Sequence, residues 1–123
     1  MKKILVLLIV ALATSTSSFA KNHVKYEMLY KLNNENTFNS MVRLLRVNDN
    51  QKDQLEYVFF RTEKKLKKAL SKEDLVAAEK VLKYNLDNTK YVLTDEQFKK
   101  YEAVINVSIY NNEIEMIAEN NVQ

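Results

Sequence analysis

Thr94 and Gln97 stand three residues apart in the stretch LTDEQF at 93–98, a hydroxyl and an amide at the spacing of a capping box. In that device the Thr94 hydroxyl accepts the Gln97 backbone N–H, and the Gln97 side chain reaches back to the Thr94 N–H. Two donors that a helix start would otherwise leave orphaned find partners. Leu93 before the cap and Phe98 at the fourth helical position can clasp as a hydrophobic staple. Asp95 and Glu96 fall in the first turn, where the helix dipole favours negative charge. The pattern stands a second time, 46 residues earlier and without a gap. VNDNQ at 47–51 sets Asn48 against Thr94, Asp49 against Asp95 and Gln51 against Gln97. Glu56 and Val58 recur as Glu102 and Val104, while Lys52 takes the place of the staple residue Phe98. Two readings of the pair stand: helix-start chemistry alone, or a functional signature.

The densest basic run is Arg61, Lys64, Lys65, Lys67 and Lys68. It reads as a solvated helix face whose charge suits a helix C-terminus, or as a surface for an anionic partner such as an acidic unfolded chain, a lipid surface or a polyanion. Tyr57, Phe60, Arg61, Lys64 and Lys68 form the candidate binding surface, with rings beside cations. The usual catalytic parts are missing. His23 is the single histidine and cysteine is absent, so no metal or cofactor site is expected. Ser40, Ser71 and Ser108 lie in no Gly-x-Ser-x-Gly setting, and a chain without glycine has neither a phosphate-cradling loop nor the turn of a calcium loop. The expectation is a protein that is not an enzyme.

The first twenty residues, MKKILVLLIVALATSTSSFA, run from charge through a short apolar core to small residues, the order of a secretory signal cleaved after Ala20. The apolar run Ile4–Ala13 reaches about 15 Å as a helix, against a hydrocarbon core of about 30 Å, so no stable membrane insertion is expected after cleavage. The net charge of +3 falls to +1 once Lys2 and Lys3 leave, and nucleic acid is not an expected partner. The remaining 21–123 is read as one domain, in the periplasm or secreted, with 21–36 and 111–123 as loose ends.

The elements that must position these residues are helices. Zero glycine and zero proline disfavour tight hairpins, whereas asparagine, abundant here, can close helical connections. Leu55, Val58, Phe59, Thr62, Leu66 and Ala69 recur at spacings of three and four, predicting a helix over 49–70. Further helices are predicted over 37–46, over 72–92 with Ser71 as cap and Leu75, Ala78, Leu82, Leu86 and Thr89 inward, and over 95–110 with Phe98, Tyr101, Val104 and Ile105 inward. A short helix is placed near Tyr26–Leu32. Asn111 and Asn112 offer a break before the last residues, which either extend the helix or form a tail. The fold class is all-α: three to four amphipathic helices in a small bundle or flattened helical hairpin.

LTDEQ at 93–97, with the degenerate VNDNQ at 47–51, resembles the paired Leu-Thr-x-x-Gln motifs of the Spy/CpxP-like proteins. Val47 and Asn48 stand in the first copy where Leu and Thr would. The resemblance covers roughly residues 37 to 110 and implies a small periplasmic helical protein of the envelope-stress type, in some members an ATP-independent chaperone, assembled as a curved homodimer. The chain also resembles small secreted bacterial helical proteins with no assigned role. The expected function is binding by surface contact, to unfolded clients or to one dedicated partner protein in a structural or regulatory role.

Overall fold

A computed structural model describes residues 26–122, with side-chain surroundings for 26–111. The signal-peptide reading of 1–20 and His23 lie outside the described residues. Five helices follow one another: α1 Glu27–Lys31, α2 Glu35–Leu45, α3 Asp49–Ser71, α4 Leu75–Val92 and α5 Asp95–Val122. The described chain is all-α, as the spacing predicts.

Each long helix starts on a side chain that accepts an orphaned N–H. Asn34 caps α2 by accepting from Asn36 at 3.0 Å, and Asp74 caps α4 by accepting from Ala77 at 3.0 Å. Both predicted boxes form. Asn48 accepts from Gln51 N–H at 2.8 Å and donates its own N–H to Gln51 Oε1 at 3.0 Å. Thr94 does the same with Gln97, at 3.3 and 3.0 Å.

The cap predicted at Ser71 is a correction. Ser71 closes α3 instead, its hydroxyl donating to the Lys68 carbonyl at 2.9 Å. The cause is the turn that follows. Glu73 takes the left-handed conformation at φ 53°, its N–H donates to Leu70, and the Asp74 N–H donates to Ala69. This is a Schellman ending with glutamate where glycine usually sits. Asp74 both completes it and caps the next helix, so α4 begins at Leu75. Arg46 ends α2 in the same left-handed region, also at φ 53°. Glu73→Gly is expected to raise stability by about 0.5–1 kcal/mol, since a residue with a Cβ is strained there. The urea midpoint measures it, and a lower midpoint would refute the strain.

The core lies among all five helices, with α3 and α4 as its main antiparallel pair. Phe38 of α2 meets Phe59 of α3 edge-on at 5.8 Å, and Phe59 stacks on Tyr101 of α5 at 6.0 Å. The segment 26–36, expected within a loose end, is held instead: Tyr26, Leu29 and Leu32 are buried, and Tyr26 donates to Glu79 of α4 at 2.7 Å. The break offered at Asn111 and Asn112 is not used, and α5 runs on through Val122 as one 28-residue helix.

The inner face of α4 differs from the predicted one. Ala78, Val81, Asn85 and Thr89 are buried, Leu82 and Leu86 are half-buried, and Leu75 is 43% exposed. Asn85 is the reason. Tyr101 donates its hydroxyl to Asn85 Oδ1, and Asn85 Nδ2 donates to Thr62 Oγ1 at 3.1 Å. The Thr62 hydroxyl in turn donates to the Val58 carbonyl at 2.8 Å. A buried amide with both ends bonded is tolerated and ties three helices in one register. Burial pushes the Tyr101 hydroxyl well above the ordinary tyrosine range, so it stays a donor.

Candidate functional site

The paired motif residues come together. Gln51 Nε2 donates to Gln97 Oε1 at 2.8 Å and to the Val92 carbonyl at the end of α4 at 3.2 Å. Gln97 Nε2 donates to Gln51 Oε1 at 3.4 Å and to the carbonyls of Leu45 and Arg46 at the end of α2, at 3.2 and 3.5 Å. Each glutamine therefore caps its own helix, bonds its counterpart, and satisfies the end of the helix that precedes its counterpart. Only a primary amide does this, because one oxygen must accept from the cap N–H while two hydrogens go elsewhere.

The likeness continues along the helices: Thr62 and Ser108, also 46 apart, each donate to the carbonyl four residues back at 2.8 Å. The sequence repeat thus recurs in the local bonding of α3 and α5, whose first turns meet at the glutamine pair. Leu93 is buried and Phe98 half-buried against the core, where the staple predicts them. Asp49 and Asp95 are exposed in their first turns.

Gln97→Leu is expected to cost about 2 kcal/mol of stability, and Gln51→Leu a similar amount. The double variant is expected to lose less than the sum, by about 1 kcal/mol, because the two share a bond. Urea unfolding of the four proteins reads this, and strict additivity would show that the pair is not coupled.

The candidate binding surface is brought together on α3. At about 100° per residue, Tyr57, Phe60, Arg61, Lys64 and Lys68 fall within one stripe. It lies opposite Leu55, Phe59, Thr62 and Leu66, which face the core. Tyr57 is 62% and Phe60 43% exposed, and the three cations are exposed. Lys64 Nζ sits 4.8 Å from the centre of the Phe60 ring, a cation–π contact that keeps charge and apolar surface side by side. Tyr91, 90% exposed on α4, shares a shallow cleft with Tyr57.

The basic run is divided by the fold. Lys65 turns to α4, its Nζ 4.9 Å from the centre of the Tyr84 ring. There it joins Lys68, Lys72 and Lys80 around a cleft of about 400 Å³ floored by Ala69, Ala77 and Val81. Sequence spacing does not find this cleft, since Lys80 comes from a different helix. The one available signal is the lysine count on both sides of the 71–74 turn.

Among the described residues no three His, Cys, Asp or Glu side chains cluster as a metal site. No helix there is long and apolar enough to cross a membrane. Comparison with known proteins finds no matching family model, curated protein or solved structure.

Proposed function

We propose that this chain is an exported helical binding protein of the Spy/CpxP-like type that shields unfolded segments of other proteins by surface contact, without chemistry of its own. The observation that carries the reading is the α3 stripe. Two aromatic rings stand in solvent on a helix whose other face is committed to the core, and three cations flank them. Exposed rings gathered on one helix face and rimmed by charge have the composition of a contact surface. Rings flanked by cations suit segments that mix apolar and acidic side chains, which an unfolded chain offers and a folded one hides. The coupled glutamines support the same reading, because they anchor the start of the helix that carries the stripe to the start of α5.

The test is suppression of aggregation when insulin is reduced. Protection is expected at a few-fold molar excess, and Phe60→Ser with Lys64→Glu is expected to abolish most of it while leaving the far-ultraviolet spectrum unchanged. No protection at several-fold excess by the parent protein overturns the chaperone reading. A single stoichiometric protein captured from an envelope extract would favour a module with one dedicated partner instead.

A further inference from the structure

We propose that the cleft between the C-terminal turns of α3 and the first turns of α4 binds a single-chain anionic amphiphile, its charged head among the lysines and its alkyl chain on the floor. This goes beyond the client-binding reading and rests on a different face, with Lys68 alone common to both.

The charges make the first argument. Lys65, Lys68, Lys72 and Lys80 line one cleft, and among the described residues none of them forms an ion pair. Asp74 at the same cleft is the only carboxylate in its lining, and it is occupied in capping α4 through the Ala77 N–H. Four like charges around one concavity repel each other and focus a positive potential into it, which an anion relieves.

The floor makes the second. Ala69, Ala77 and Val81 are apolar, the first and last buried, and the alanines leave a slot with no large side chain in it. The Tyr84 ring forms a wall, with Lys65 held against its face at 4.9 Å. A bare anion would leave the part-exposed Ala77 and Tyr84 surfaces wet, and a neutral lipid would leave the ammonium groups unanswered.

Size makes the third and favours a small ligand over a protein segment. About 400 Å³ is small-ligand scale, where sites run from about 300 to 1,000 Å³. A docked protein needs about 800 Å² on each partner. The lining here is confined to residues between Lys65 and Tyr84, around a single helical turn-around.

Calorimetric titration of the purified protein with decanoate and with decyl phosphate, below their micelle concentrations, tests the site. Inorganic phosphate, decyl glucoside and decyltrimethylammonium serve as comparisons. One saturable site per chain is expected for either anionic amphiphile, weaker in high salt, with little binding of the three comparison probes. Lys68→Glu with Lys80→Glu is expected to weaken binding about tenfold or more. Ala77→Leu, which fills the slot without touching charge, is expected to weaken it as well. Phe60→Ser is expected to leave it unchanged, which separates this site from the client surface. Lys68 and Lys80 are exposed, and only Lys68 meets a helix dipole, in the last turn of α3, so a fall in melting temperature of no more than a few degrees is expected for the charge variant. Equal binding of inorganic phosphate would reduce the cleft to an anion site and overturn the proposal. Equal binding of the cationic or neutral amphiphile, or indifference to both the charge and the slot variants, would overturn it too.

Discussion

Phe59→Ala is expected to lower the free energy of unfolding by about 3–5 kcal/mol, the range for deleting a buried aromatic ring. Phe59 has no exposed surface and sits in the middle of an aromatic chain, edge-on to Phe38 and stacked on Tyr101. Removing it withdraws contacts from α2 and α5 at once and leaves a cavity walled by helices that cannot all move inward. Against a total stability of about 5–15 kcal/mol for a domain of this kind, that is a large share. The melting temperature is expected to fall by at least about 15 °C. A fall of only a few degrees would mean that the three helices do not meet on this ring.

Asn85→Asp comes next, at about 3 kcal/mol or more near neutral pH, because it places an unpaired charge where no solvent reaches. The ionised carboxylate can still accept from Tyr101, but the donor to Thr62 is lost until the group is protonated. The loss has a pH signature. Burial disfavours the ionised form in the folded state, while the unfolded chain ionises near the ordinary value of about 3.9. A raised folded value makes stability greatest below the unfolded one, and it falls as pH rises above it. The gap from the parent protein is therefore expected to be small near pH 4 and to widen toward pH 7, measured as urea midpoints at the two values. A gap that does not change with pH would mean that residue 85 faces water. The companion pair Asn85→Leu with Tyr101→Phe removes donor and acceptor together and is expected to cost less than Asn85→Leu alone.

The two outcomes turn on what side-chain periodicity can and cannot carry. The α3 stripe of Leu55, Val58, Phe59, Thr62 and Leu66 was legible because apolar spacing reports burial directly, and all five are buried. The boxes at Asn48 and Thr94 were legible because capping is local chemistry, complete within four residues. The face of α4 was not. An asparagine reads as surface unless its partners are known, and those of Asn85 lie on α3 and α5, 23 and 16 residues away. The start of α4 was misplaced for a related reason. Ser71 has the right side chain for a cap, but the left-handed Glu73 lets α3 take one more turn-closing residue and hands the role to Asp74.

The candidate surface shows the same division. Tyr57, Phe60, Arg61, Lys64 and Lys68 share one helix, so their common face follows from spacing alone. The sequence repeat told which glutamines correspond, and nothing in it told that they touch. The cleft that gathers Lys80 with Lys65 and Lys68 depends on how two helices pack, which spacing within one helix does not contain.

Residue-resolved titration of the isotope-labelled protein with a permanently unfolded client, reduced and carboxymethylated lactalbumin, tests the binding role most directly. Shifts concentrated at Tyr57, Phe60, Arg61, Lys64 and Lys68, shrinking as salt is raised, are the expected result. No shifts at several-fold client excess, or shifts that leave this face of α3 untouched, would contradict it.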